Sequence, residues 1–284
     1  MSDVAASYQS LQSSTPTAAY RPSRLGERLL ACFTWAVILY TMLPIAVMVV
    51  FSFNIAPNGR VALKWLGFTL DAYRHAFAIQ DLTGALVNSL QIAASSAFAS
   101  IILGTPIALA LARYRFWGKT ATDLVIFAAI AAPSVVVGAS LLALFLALDM
   151  QRGLFTIFLA HVAFKLAFVV VVIRARVTGL DRALDRAAAD LGATPWVAFW
   201  KVTFPLILPG VIGAWLLAFV LSIDDVIVTT FVAGQTLTFP LWVYGATKIG
   251  TPPQVFVLST LVFVGGVVLA LVNAAISHKK ESAG

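Results

Sequence analysis

Six stretches of this chain, 29–51, 86–112, 124–148, 154–173, 206–231 and 255–276, are long, apolar and nearly free of charge. A helix rises 1.5 Å per residue, so about 20 such residues cross the roughly 30 Å of hydrocarbon in a bilayer. Only 11% of the 284 residues are charged, against about 25% in a soluble domain, too few to clothe a water-facing surface of this size. The fold class that follows is all-α, a polytopic membrane protein with six transmembrane helices. The first block, 23 residues long, exceeds the roughly 7–15 residues of a signal-peptide core, and no small-residue cleavage site follows it, so it reads as a retained span. Ahead of it lies a tail, 1–28, whose first 20 residues are rich in Ser, Ala and Thr with Asp3 as their one charge. That composition predicts disorder.

The positions of Lys and Arg matter more here than the formal net charge of +7. The N-terminal tail, the loop after the second block, the loop after the fourth and the C-terminal tail (277–284) together hold 13. The opposite side holds five, Arg60, Lys64, Arg74, Arg152 and Lys248, and Lys165 lies within a span. The bias puts both termini in the cytoplasm and accounts for the positive charge as topology, with no call for nucleic acid. The lone Cys32 excludes an intramolecular disulfide and a thiol metal cluster. His75, His161 and His278 are scattered along the topology, so no metal site is expected, and the P-loop, H-E-x-x-H and G-x-S-x-G patterns are missing. Catalysis is therefore not expected, and transport is the default.

In the second block Ser96, Ser100, Gly104, Ala108 and Ala112 recur every four residues, a small face for close helix packing. The most informative segment is the loop 174–205 and its continuation. Leu180, Leu184, Ala187, Ala188 and Leu191 form an apolar stripe, and Gly192 suits a helix C-terminus. Thr194 and Pro195 then read as an N-cap and a first-turn proline, opening a short helix through Trp196, Phe199 and Trp200, with Pro205 and Pro209 punctuating entry into the fifth span. This helix–turn–helix bracket has two readings, a segment resting on lipid headgroups or a docking element for a cytoplasmic protein.

The string Ala187, Ala188, Asp190, Leu191, Gly192, Ala193, Thr194, Pro195, with Pro205 and Pro209 beyond it, resembles the EAA loop of ABC importer permeases. The resemblance implies a type I ABC importer permease fold in the cell inner membrane, over 29–276, with Ala187, Ala188, Asp190, Gly192, Ala193, Thr194 and Pro195 coupling to a separate ATPase. It departs at Arg186, where the family carries Glu. A second string, Leu221, Ser222, Asp224, Asp225, Phe231, Val232 and Gly234, with Pro240 and Leu241, and a further one, Leu159, Ala160, His161 and Phe164, are similar to permeases of the spermidine/putrescine type. The partners so implied are a second permease subunit, two ATPase subunits holding ATP and Mg, and an extracytoplasmic substrate-binding protein. The chain itself would bind no cofactor.

Intramembrane carboxylates are costly and usually functional. Asp224 and Asp225, about 100° apart on a helix, are read with Lys165 and His161 as substrate-pathway residues for a polyamine. Two features point to a less cationic solute, an amino-acid derivative or an opine. Lys165 brings a cation into the fourth span, and Pro253, Gln254, Val255, Phe256 and Val257 stand where the family has P-E-x-N-A. For Lys165 a structural, interhelical role competes with a pathway role. An ion-coupled secondary transporter and a scaffold subunit are the readings from other classes.

Overall fold

A computed structural model describes residues 24–281 except 63 and 182, with side chains placed for 25–272. The disorder expected of the first 20 residues lies outside what is described, as do the side chains of Lys279 and Lys280 from the C-terminal charge count. Among the described residues the regular structure is helical, with one isolated bridge between Asn54 and Phe68. Five helices are long and apolar enough to cross a membrane, six if one bent pair counts as a span.

The fold divides into two units at residue 50. The first is α1 (Arg24–Phe51), apolar around its whole circumference, with its side chains exposed. That is the pattern of a helix whose solvent is lipid or another helix. The second unit holds α2 (Asp71–Arg74), α3 (Gln80–Arg113), α4 (Lys119–Ala131), α5 (Ser134–Ala147), α6 (Leu154–Thr178), α7 (Ala183–Asp190), α8 (Pro195–Ala198), α9 (Phe204–Ile223), α10 (Ile227–Val232), α11 (Phe239–Ile249) and α12 (Pro253–Glu281).

Its core is the packing of α3, α6 and α9, where Ala97, Ala108, Leu111, Val169, Val170, Ile173, Ile207 and Ala214 are buried together. The small face of α3 makes this possible. Ser96, Ser100, Gly104 and Ala108 are all buried, and a Cβ on Gly104 would stand 2.7 Å from Val169 Cγ1. Apolar chains have no hydrophobic drive to associate in lipid, so close backbone approach and dispersion carry the association.

Two expected spans are broken. The third, 124–148, is a pair of helices bent by 108° between Ala131 and Ser134. Pro133 is the cause: it lacks an N–H and pushes Ala132 to an extended ψ of 131°. The second arm, α5, packs on α10, where a Cβ on Gly138 would meet the Phe231 ring at 2.5 Å. The fifth span, expected to continue to residue 231, stops at Ile223. Asp224 takes φ −101°, ψ 0°, and the chain restarts as α10 at Ile227. At its other end the fifth span begins earlier than expected. Helix continues from Pro195 to Ile223, and a π turn at Phe199–Thr203 supplies the spare residue that lets Pro205 enter without opposing a carbonyl one turn back.

Gly104→Leu should overpack the α3–α6 seam by about 1–3 kcal/mol. We expect a lower thermal midpoint of the detergent-purified protein, while Gly84→Ala, where an added Cβ meets nothing within 4 Å, should not lower the midpoint.

Candidate functional site

Two sites emerge, a buried polar cluster at the break after α9 and the bracket formed by α7 and α8. The first is built around Lys165. Its position midway along α6 buries it completely, at 0% exposure, and its Nζ donates to Asp225 Oδ2 at 3.0 Å. The Phe164 ring lies 5.1 Å from the same ammonium. Asp225, 9% exposed at its side chain, turns its other oxygen to the start of α10, accepting the Thr229 N–H at 3.2 Å and the Thr229 hydroxyl at 3.5 Å. One of the four unpaired donors that every helix start presents is thereby satisfied.

From Thr229 the cluster continues inward. Thr229 Oγ1 is 2.9 Å from His161 Nε2, His161 Nδ1 is 2.6 Å from Ser222 Oγ, and Ser222 Oγ is 3.2 Å from Ser96 Oγ. A single proton assignment serves every member. Thr229 donates to Asp225, a neutral His161 donates from Nε2 to Thr229, Ser222 donates to Nδ1, and Ser96 donates to Ser222. The cluster so ties α3, α6, the end of α9, the break and α10.

Asp224 is placed differently. It caps the end of α9 and is exposed, so the two adjacent carboxylates occupy unlike environments instead of two faces of one helix. Lys165 and His161, singled out with them in the sequence, are both buried in the cluster. Ser96, Ser222 and Thr229 were not identified as partners. Ser222 and Thr229 flank the Asp pair at helical spacing, and that spacing is the signal that could have found them.

The bracket is assembled from local chemistry. Asp181 Oδ1 accepts the Ala183 N–H at 2.8 Å at the start of α7. At its end Ala193 N bonds Ala188 O at 3.0 Å and Gly192 N bonds Ala189 O at 2.9 Å, with Gly192 at φ +79°, a Schellman closure that favours glycine. Thr194 Oγ1 then accepts the Val197 N–H at 3.4 Å, capping α8 behind Pro195. Ala188 is buried, whereas Ala187, Asp190 and Gly192 are exposed and Ala193 is half-buried. Leu191, expected on the apolar stripe, stands out at 89% exposure, and Trp196 at 70%.

What holds the bracket is Asp185. It pairs with Arg113 at the end of α3, and its other oxygen accepts from Thr203 Oγ1 at 3.0 Å in the π turn. Arg113, Asp185, Arg186 and Thr203 also line a cavity of about 630 Å³ beside α7 and α8. Sequence reasoning had counted Arg113 only toward topology. The acid one residue ahead of Arg186 was the available signal. Arg174 pairs with Asp123 of α4, and the Arg176 stem lies against Gly210. Among the described residues no group of three or more His, Cys, Asp or Glu is placed to hold a metal ion.

The described chain thus combines apolar helices of spanning length, an exposed helical bracket clamped to two of them and a polar cluster at a helix break. Residues 100–281 match the family described as binding-protein-dependent transport system inner membrane component, and the chain belongs to that family. It is 37% identical over 250 residues to the spermidine/putrescine transport system permease protein PotC of Haemophilus influenzae, covering 88% of this chain and 96% of that one. With the putrescine transport system permease protein PotI of Escherichia coli K12 the identity is 40% over 227 residues, 77% of this chain and 80% of that one. Among solved structures, a bacterial ABC transporter involved in import of the acidic polysaccharide alginate superposes with a TM-score of 0.65 at 19% identity, covering 93% of this chain and 99% of that one. The fold is that of type I ABC importer permeases.

Removing one partner of a buried ion pair leaves the other charge uncompensated, at about 3–5 kcal/mol. Asp225→Leu should therefore lower the thermal midpoint of the purified protein sharply. Adding Lys165→Met should restore most of the loss, so the double-mutant cycle reads a coupling of at least about 2 kcal/mol.

Proposed function

We propose that this chain forms half of the translocation pathway of an ATP-driven importer for a polyamine or related small amine. A second permease subunit would supply the other half, an extracytoplasmic binding protein would deliver the solute, and ATP and Mg would be held by a pair of partner ATPase subunits. The bracket faces the cytoplasm in this reading, as the 13 Lys and Arg against five suggest.

The observation that carries the reading is the exposure of Leu191 and Trp196 on a bracket otherwise fixed at Asp185. A leucine and a tryptophan turned outward on a rigid mount suit a groove on another protein. The clamp at Arg113, Asp185 and Thr203 would pass movement of that groove into α3 and α9, whose far portions carry Ser96 and Ser222. The amine assignment is supported by the relatives and by Asp224, an exposed carboxylate at a helix break within an apolar bundle, able to replace the water that an ammonium group loses on entry.

Leu191→Glu places a charge where an apolar contact is proposed, and Gly192→Val strains a φ of +79°. Each should reduce ATP-driven uptake in proteoliposomes at least about tenfold while the chain still inserts, and ATP hydrolysis should no longer respond to loaded binding protein. Normal uptake by both variants would refute the docking role. Asp224→Asn is expected to lower amine uptake with the ATPase subunits still bound; unchanged kinetics would remove this carboxylate from the pathway.

A further inference from the structure

The two carboxylates and the ammonium at the break do not act as three independent charges. Asp225 is enclosed by Lys165 on one oxygen and Thr229 on the other, with its side chain 9% exposed and Lys165 fully buried. Asp224, its neighbour in sequence, is exposed. The net charge at the break is one negative, two carboxylates less one ammonium, and the exposed carboxylate is Asp224.

We propose that Lys165 is a specificity-determining residue. By locking Asp225 into an internal ion pair it leaves this chain's half of the pathway matched to one cationic centre, and so selects an amine of low charge over a triamine. This inference rests on the amine-importer reading above and sharpens it. Coulomb's law gives the sense of the effect. A second ammonium group on the solute would need a second carboxylate, and the one available is already neutralised at 3.0 Å. Hydrogen bonds from Thr229 and the Phe164 ring hold the pair in place, so an entering amine would have to displace an ion pair already formed.

The role differs from that of a merely structural lysine in a way that binding can read. Butylamine, putrescine and spermidine carry one, two and three amino groups, and each contains a four-carbon chain. Their direct binding to the complete, detergent-purified transporter, without the binding protein, isolates the permease contribution. In Lys165→Met, Asp225 loses its counter-ion, and the ratio of spermidine to butylamine affinity should rise at least about tenfold over wild type. Lys165→Met with Asp225→Leu removes both charges and should bring the ratio back to near the wild-type value. A ratio within about twofold of wild type in assembled Lys165→Met, or an equally raised ratio in the double variant, would overturn the selector role while leaving the amine reading intact. If Lys165→Met fails to assemble, Lys165→Gln, which can still donate to Asp225 but carries no charge, is held to the same expectation. A wild-type transporter that binds none of the three amines would overturn the amine reading, and this inference with it.

Discussion

An ammonium group with no exposure, set midway along a transmembrane helix, is the constraint around which this structure is arranged. Lys165 could not remain charged there without a partner, because moving an isolated charge into an apolar interior costs several kcal/mol or more. Its partner, Asp225, could not reach it from the middle of an uninterrupted helix while also capping another. The break after Ile223 resolves both demands. Asp225 leaves the helix, meets Lys165, and satisfies the first turn of α10 through Thr229. His161, Ser222 and Ser96 continue the pattern inward, so each of these three side chains finds a partner among its neighbours.

The same economy of polar contacts appears at the other functional end. The bracket is not a free appendage. Asp185 receives both Arg113 and Thr203, which ties α7 to the end of α3 and to the π turn leading into α9. Between the two ends run the small faces of α3 and the tightly packed α6. In the proposed coupling, a displacement of the bracket would travel through these packed helices toward the polar cluster.

Much of this was legible in the sequence. Length and charge density define the class, and Gly192, Thr194 and Pro195 specify the turn of the bracket, because each acts on its immediate neighbours. The two broken spans were not. Pro133 carried a local signal that a single apolar run concealed. The break at Asp224 had no glycine or proline to announce it, since its cause is a lysine 60 residues earlier in the chain. The clamp at Asp185 was missed for the same reason: Arg113 lies 72 residues away. Local chemistry is readable in order along the chain, whereas partners supplied by tertiary packing are not.

One asymmetry, Asp225 locked and Asp224 open, stands at the centre of this site, and chemical labelling tests it most directly. The assembled transporter would be treated with a water-soluble carbodiimide and glycine ethyl ester, and modification at each carboxylate read by peptide fragmentation. The asymmetry predicts that Asp224 is modified and Asp225 is protected, with protection lost in Lys165→Met. Equal modification of the two aspartates in the wild-type transporter would contradict it.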